Sequence, residues 1–249
     1  MKLKKREIRQ KFDLASTTYD QVAKVQRECA EKLVCHLTNF FPEFYPSTIL
    51  DLGTGTGYIP ELLLQTFPQS AFTLNDLAPS MLKRSKEKFG KNRQIDFIQG
   101  DMDNLNFGPK QLITSNFALQ WSSDLYNLLS RLFNQSEVLA FSCLLEGSFK
   151  EWGDIFEKLE LPNPTYPYPS KQDLENYMLS LCPQKYFFGS QEFVLDFASP
   201  FKFLKYLKEL GANTGGQEIP IKDILRLLKA DLGGFTVTYN VFFALVGGK

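Results

Sequence analysis

Hydrophobic and polar residues follow two kinds of pattern along the chain. Seven apolar or β-branched runs predict strands, at residues 48–53, 71–76, 95–101, 112–117, 136–145, 185–197 and 235–247. Patterns with a repeat near 3.6 residues predict helices, at residues 15–40, 58–67, 78–89, 123–133, 148–159, 170–181, 199–211 and 220–233. Because helices separate most of the strands, we expect a mostly parallel sheet with helices on both faces.

The same pattern predicts one domain with added helical segments. The sheet core is expected at about residues 46–145 and 185–249, after an N-terminal helical lid at about residues 1–40. Two further lid segments are expected at about residues 146–184 and 198–233, and the first of them contains the loop "ELPNPTYPYPS". The final glycine of each of the last two helical patterns has the position of a C-cap.

A glycine-rich turn follows the first predicted strand, in "ILDLGTGTGYIPELL" at residues 49–63. Such a turn lets a ligand approach the backbone at the carboxyl ends of the strands. A phosphate-binding P-loop needs Gly-Lys-Ser/Thr, and a dinucleotide fingerprint needs glycine where this chain has Tyr58. The pattern that remains is Asp51-x-Gly53-x-Gly55-x-Gly57.

This pattern resembles motif I of the class I S-adenosylmethionine-dependent methyltransferases. The resemblance implies an α/β fold with a Rossmann-like, seven-stranded, mostly parallel sheet, S-adenosylmethionine as cofactor and S-adenosylhomocysteine as its product. "NDLAPSML" places Asp76 where the family binds the ribose hydroxyls, and "QGDMDNL" places Asp101 and Met102 where it binds adenine. The residues that the resemblance implies for cofactor binding are Asp51, Gly53, Thr54, Gly55, Gly57, Asp76, Leu77, Asp101, Met102 and Asn116.

Longer stretches resemble one family in particular, the malonyl-acyl carrier protein O-methyltransferases of biotin synthesis. The N-terminal pattern of that family matches at Phe12, Ala15, Tyr19, Asp20, Ala23, Gln26 and Ala30. "SNFALQWSSDL" at residues 115–125 resembles its strand-four signature, and residues 147–152 and 203–214 resemble two later segments. The resemblance covers nearly the whole chain, while the loop in the 160s and residues 215–233 depart from it.

The resemblance implies methyl transfer to the free carboxylate of a malonyl group on acyl carrier protein, or on coenzyme A. A carboxylate is ionised at pH 7 and is its own nucleophile, so the reaction needs alignment and desolvation rather than a base. This suits a chain whose only histidine, His36, lies in a helical pattern. The candidates for the acceptor side are Tyr19, Gln120 and Trp121, and Gln26 is a candidate for hydrogen bonding to the cofactor or to the backbone of the pocket. The residue that recognises the malonyl carboxylate is not identified by the sequence.

Composition narrows the remaining possibilities. Lys and Arg number 28 and Asp and Glu number 28, which gives no electrostatic reason to expect a nucleic-acid partner. The basic start "MKLKKREIRQK" is interpreted as a solvated arm. The candidate docking surface for an acidic carrier protein consists of Lys202, Lys205, Lys208, Lys222, Arg226 and Lys229. No run of about 18 apolar residues predicts a membrane span. The four cysteines show no metal-site spacing, so we expect buried free thiols, no metal, a cytoplasmic location and a monomer.

Two other functions share the same sheet and glycine loop. One is a methyltransferase for a free small molecule, such as a quinone precursor or another carboxylic acid. The other is a methyltransferase-like assembly factor that binds a protein partner. Cofactor binding alone does not separate these hypotheses, because all three use the same loop.

Overall fold

The computed structural model describes residues 5–90, 92–212, 219–229 and 233–248. Its centre is a seven-stranded sheet in the order β3-β2-β1-β4-β5-β7-β6, in which β7 is antiparallel to both of its neighbours. The strands are β1 (Thr48–Leu52), β2 (Ala71–Asp76), β3 (Ile95–Gln99), β4 (Lys110–Asn116), β5 (Ser136–Leu144), β6 (Lys185–Phe197) and β7 (Phe235–Gly247). The Rossmann-like, mostly parallel α/β fold predicted from the sequence is confirmed.

Helices cover both faces of this sheet. They are α1 (Lys5–Ala15), α2 (Tyr19–Val22), α3 (Lys24–Phe40), α4 (Tyr58–Thr66), α5 (Pro79–Phe89), α6 (Leu125–Asn134), α7 (Lys150–Lys158), α8 (Lys171–Ser180), α9 (Pro200–Leu210) and α10 (Ile221–Lys229). Gly211 ends α9 with φ of 74°, as its C-cap position predicted. The predicted helical residues 230–232, between α10 and Gly233, lie outside the described residues.

The beginning of the chain differs from its prediction in two ways. The stretch interpreted as a solvated arm is helical from Lys5 onward, and its residue Ile8 is only 3% exposed. The single helix predicted at residues 15–40 is divided into α2 and α3, because the chain turns after Ala15 and again at Ala23, where ψ is 46°. Because polar and basic residues dominate α1, the helix is stabilised more by its tertiary packing than by its own composition.

The N-terminal helices have two different surroundings. The apolar face of α3, which includes Cys29, Leu33 and Leu37, packs in the main core against strands β4, β5 and β7. Helices α1 and α2 instead contact α9, and α1 also contacts α5. Within the segment predicted as a lid, α3 therefore packs on the sheet, whereas α1 and α2 pack against other helices.

The central strands are buried on both faces. Ile49, Leu50 and Leu52 of β1 are fully buried, as are Phe242 and Ala244 of β7. Burying side chains on both faces is the dominant stabilising contribution in such a sheet, at about 25 cal/mol per Å² of apolar surface. The carboxyl ends of β1 to β5 are consequently held by a rigid core. At these ends the chain leaves each strand on its way to the next helix. No helix in the described ranges is long and apolar enough to cross a membrane.

Candidate active site

The loop that joins β1 to α4 turns through three glycines in the left-handed region. The angle φ is 65° at Gly53, 56° at Gly55 and 90° at Gly57. Only glycine adopts these angles without strain. The N–H of Thr54 donates to the carbonyl oxygen of Asn75 at 2.8 Å, which fixes the loop to the end of β2.

The three glycines have different reasons to lack a side chain. A Cβ on Gly53 would come within 2.2 Å of the Cβ of Ala118, and one on Gly57 within 2.6 Å of the Phe89 ring. A Cβ on Gly55 would meet nothing within 4 Å. Packing therefore requires glycine at the first and third positions, whereas Gly55 keeps open a space that a ligand can use.

A cleft of about 600 Å³, here called the main cleft, opens at Gly55 along the carboxyl ends of the strands. The sequence-predicted residues that line it are Tyr19, Gly53, Gly55, Asp76, Leu77, Asp101, Met102, Asn116 and Trp121. Asp51 of β1 and the loop residues Thr54 and Gly57 do not line the main cleft. The motif thus brings together residues of four successive strand ends in one cleft.

Asp76 at the end of β2 connects the glycine loop to the next turn. Its Oδ2 accepts the N–H of Gly55 and its Oδ1 accepts the N–H of Ala78, both at 2.8 Å. Burial raises the pKa of Asp76 to about 6, so the carboxylate is ionised at pH 7. A carboxylate has about four acceptor sites, so it retains capacity for two hydroxyls of a ligand.

Asp51 lies deeper, within β1 and 2% exposed. Its Oδ1 accepts the hydroxyl of Thr114 at 2.9 Å. Burial raises the pKa of Asp51 to about 7. Asp51 thus joins β1 to β4 just before the glycine loop.

Helix α1 forms one side of the main cleft. Lys5, Ile8 and Phe12 occur at helical spacing and all line the main cleft. The ammonium of Lys5 lies 2.9 Å from Oδ1 of Asp101 and 2.8 Å from Oδ2 of Asp103. A salt bridge therefore joins α1 to the loop after β3, where the sequence predicts the adenine site.

A second cavity of about 410 Å³, here called the aromatic pocket, adjoins the main cleft. The two share Phe12, Tyr19, Phe117 and Trp121. The rings of Phe12 and Trp121 meet edge to face, with centroids 5.7 Å apart. The aromatic pocket is additionally lined by Gln26, Gln120, Leu144, Phe149, Tyr168, Leu210, Ala212 and Tyr239.

Asn116 and Gln120 maintain the wall between the two cavities. The Asn116 side chain donates to the carbonyl oxygen of Gln26 at 2.9 Å and accepts the hydroxyl of Ser142 at 2.6 Å. The Gln120 side chain donates to the carbonyl oxygen of Phe117 at 2.9 Å. Phe117 has φ of 55°, a strained value for a residue other than glycine. These bonds keep the strained turn after β4 in place.

Three observations fit a positively charged nucleoside as the ligand of the main cleft. The Asp76 and Asp101 carboxylates lie at neighbouring strand ends, and the position of Gly55 is open. The Oε1 atoms of Gln26 and Gln120 are buried at the adjoining pocket without a hydrogen-bond partner among the described residues. Because a buried, unpaired acceptor is costly, a cationic ligand beside it is electrostatically favourable.

Many of the lining residues are not predicted from the sequence, and five of them, Lys5, Ile8, Phe12, Tyr168 and Tyr239, show why. Lys5 and Ile8 belong to the supposed arm, although Ile8, Phe12 and Ala15 already have the spacing of one helix face. Phe12 was noted only as a match to the family pattern. Tyr168 and Tyr239 come from an irregular loop and from the last strand, and no local pattern predicts that they meet.

Comparison with known proteins agrees with this geometry. A family model described as "Methyltransferase domain" matches residues 49–135. The malonyl-[acyl-carrier protein] O-methyltransferase of Neorickettsia risticii is 38% identical over 94% of this chain and 93% of its own. Malonyl-[acyl-carrier protein] O-methyltransferase 1 of Ilyobacter polytropus is 30% identical over 84% of this chain and 79% of its own.

A solved structure supports the fold at lower sequence identity. Phosphoethanolamine N-methyltransferase 2 of Haemonchus contortus, in complex with phosphomonomethylethanolamine and S-adenosylhomocysteine, superposes with a TM-score of 0.56 at 15% identity. The superposition covers 88% of this chain and 53% of that one, so the present chain spans about half of its length. At this identity the likeness concerns the fold alone.

Proposed function

The chain belongs to the malonyl-[acyl-carrier protein] O-methyltransferase family, and from that membership we propose that it esterifies the free carboxylate of a malonyl group on an acyl carrier protein. S-adenosylmethionine supplies the methyl group on a sulfonium centre. The products are the malonyl methyl ester and S-adenosylhomocysteine. The reaction serves the early steps of biotin synthesis.

The observation that carries this proposal is the junction of the main cleft with the aromatic pocket. Both are bounded by Phe12, Tyr19, Phe117 and Trp121. A donor in one cavity and an acceptor in the other therefore meet without crossing solvent. Such enclosure aligns the reactants and removes water from the carboxylate.

In the main cleft, Asp76 accepts the ribose hydroxyls, since its two oxygens are already oriented by the N–H groups of Gly55 and Ala78. Asp101 and Met102 face the base, with Leu77 and Ile8 as apolar walls. The open position at Gly55 lets the backbone lie against the ligand.

The acceptor side needs no general base. The aromatic pocket contains no histidine, aspartate or glutamate among its described lining residues. His36 instead packs against Phe187, with ring centroids 4.8 Å apart. A malonyl carboxylate is ionised at pH 7 and attacks directly. The chain's contribution is then to position the acceptor, with Tyr19 and Trp121 at the shared boundary and Gln120 in the aromatic pocket.

The outer face of α9 is the proposed docking surface for the carrier protein. Lys202, Lys205 and Lys208 are all exposed there, while Leu210 at the end of the same helix and Ala212 just beyond it line the aromatic pocket. An acidic carrier protein on this face would place its thioester-bearing arm at the entrance of the pocket. Lys222 and Arg226 of α10 are exposed as well, whereas the side chain of Lys229 lies outside the described residues.

A labelled-methyl assay tests the proposed function. The protein is incubated with methyl-labelled S-adenosylmethionine and either malonyl- or acetyl-acyl carrier protein, with malonyl-coenzyme A in a third arm. Label on the malonyl forms alone, released by mild base, is the expected result. Equal labelling of the acetyl form, or no label on any acceptor, would contradict the proposal.

A further inference from the structure

The aromatic pocket contains no cationic side chain among its described lining residues. This matters because an acceptor carboxylate that leaves water needs either a cation or several hydrogen-bond donors. Residues 213–218, which follow Ala212 in the chain, contribute no lysine, arginine or histidine by sequence. The pocket is nonetheless rich in phenolic hydroxyl groups.

Three tyrosines from separate elements line the aromatic pocket. Tyr19 comes from α2, Tyr168 from the loop before α8 and Tyr239 from β7. Burial raises the pKa of each phenol above its ordinary value of 10. All three hydroxyls therefore keep their hydrogens at neutral pH and are donors.

The hydrogen bonds of these hydroxyls leave donors available. The hydroxyls of Tyr19 and Tyr168 have no hydrogen-bond partner within the described residues. The hydroxyl of Tyr239 donates to the hydroxyl oxygen of Tyr206 of α9 at 3.1 Å. A phenol both donates and accepts, so a carboxylate beside Tyr239 can take the hydrogen of Tyr239 while Tyr206 donates to the Tyr239 oxygen instead. The pocket therefore offers the free donors of Tyr19 and Tyr168, and a third donor at Tyr239 once this hydrogen bond is reversed.

We propose that the acceptor carboxylate is held by the hydroxyls of Tyr168 and Tyr239, together with Tyr19, and by no cationic side chain of the protein. The inference rests on the proposed function, since it concerns the acceptor of that reaction. The charge that balances the carboxylate is then that of the sulfonium in the main cleft.

The charge balance of the reaction gives this arrangement a reason. A carboxylate oxygen forms a bond to the methyl carbon while the bond from carbon to sulfur breaks, and its electron pair stays on sulfur. An anion and a cation thereby become a neutral ester and a neutral thioether. Because charge disappears along the reaction, an environment without a fixed cation favours the transition state over the ground state. A lysine beside the carboxylate would stabilise the ground state more.

Binding measurements without turnover test the counter-ion. Calorimetry compares the affinity of malonyl-coenzyme A for the protein saturated with S-adenosylhomocysteine, which is neutral at sulfur, and with sinefungin, whose amine is cationic at the equivalent position. We expect binding at least about 10-fold tighter in the sinefungin complex, and no such difference for acetyl-coenzyme A. Equal affinity of malonyl-coenzyme A for the two complexes would overturn the inference.

Hydroxyl deletion tests the donors. Tyr168→Phe and Tyr239→Phe keep the rings and should each lower kcat/KM for the malonyl acceptor about 10-fold to 100-fold, the usual effect of losing a hydrogen bond to a charged group. Affinity for S-adenosylhomocysteine should change less than about 2-fold, which separates lost recognition from misfolding. Tyr166→Phe is the matched control, since Tyr166 belongs to the same loop and contacts the Tyr168 ring without lining the pocket.

The outcomes distinguish this inference from the proposed function. If the malonyl acceptor is methylated normally by both phenylalanine variants, the hydroxyls are not its ligands and only this inference fails. If wild-type protein neither binds nor methylates malonyl acceptors, the proposed function fails, and this inference fails with it.

Discussion

Single residues of the glycine loop show what a motif specifies and what it leaves open. The spacing of Gly53, Gly55 and Gly57 identifies a ligand-binding turn. It does not tell which glycine faces the ligand, because that depends on Ala118 and Phe89, which are distant in sequence. In the structure only Gly55 has open space, so the three positions should respond differently to substitution.

Gly55→Val should abolish measurable binding of S-adenosylhomocysteine, because the added side chain would occupy the main cleft. Part of any loss of stability would come from φ of 56°, which costs about 1–2 kcal/mol for a non-glycine residue. Gly108→Val is the matched control, since Gly108 has φ of 67°, open space around its Cβ position and no place on the main cleft. Calorimetry and thermal unfolding together separate the effects, and unchanged affinity in Gly55→Val would contradict the assignment.

Asp51 leads to a prediction about pH. Its pKa of about 7 in the folded protein lies above the ordinary 3.8, so folding favours the protonated form. The contribution of this group to the free energy of unfolding is complete below about pH 4 and is lost as pH rises through 7. Asp51→Asn removes that dependence while a side-chain oxygen can still accept the Thr114 hydroxyl.

The midpoint temperature of Asp51→Asn, relative to wild type, should therefore increase between pH 5 and about pH 7 and level off towards pH 8. Thermal unfolding in a series of buffers measures it. Asp96→Asn, on the exposed side of β3, serves as the control. A constant difference between Asp51→Asn and wild type across this range would show that Asp51 titrates normally.

Among the elements, the strands could be predicted and α1 could not. The central strands, which are buried on both faces, read as continuous apolar runs, and the more exposed edge strands β3 and β6 were located by their apolar and aromatic residues. Helix α1, with sequence KREIRQKFDLA, has little apolar content of its own. It is stabilised by contacts that are invisible locally, such as the Asp13 carboxylate accepting the N–H of Ser80 at 2.8 Å at the start of α5. Helices of this kind depend on tertiary packing more than on propensity.

Lys5→Met should loosen α1 without unfolding the sheet. The substitution keeps most of the aliphatic stem and removes the salt bridges to Asp101 and Asp103, which are partly exposed and worth up to about 1 kcal/mol. Amide hydrogen exchange in α1 of the ligand-free protein should then be up to about 5-fold faster. Lys83→Met, which removes a more exposed pair with Glu87 on α5, should leave α1 unchanged. Equal exchange in Lys5→Met and wild type would mean that packing alone holds the helix.

The whole chain has equal numbers of basic and acidic residues, but these charges are unevenly distributed over the molecule. The exposed face of α9 has three lysines, and only Lys205 among them has a described acidic partner, Glu209 at 3.5 Å. Net charge could not have revealed this surface. The aromatic pocket could not be predicted from the sequence either, because it forms only where α2, the loop before α8, α9 and β7 come together.

Charge reversal of this surface should distinguish the carrier protein from smaller acceptors. Lys202→Glu with Lys208→Glu should lower kcat/KM for malonyl-acyl carrier protein about 10-fold, mainly through slower association, and reduce its dependence on salt. Activity with malonyl-coenzyme A should change less than about 2-fold. Lys110→Glu is the control, because Lys110 lies at the amino end of β4, opposite to the strand ends that form the main cleft. Equal losses for both acceptors, or for neither, would rule out this docking surface.

The position of β7 between β5 and β6 has a consequence for biosynthesis. Strands β5 and β6 are both synthesised before β7, with which each of them pairs. Val138 of β5 lies opposite Gly247 of β7, and Phe197 of β6 lies opposite Phe235 of β7. Throughout that interval the nascent chain exposes the unpaired edge of β5, and β6 has no partner. Closure of the sheet therefore has to wait for the synthesis of β7, and chaperones that shield β-edges should contact the growing polypeptide during this interval.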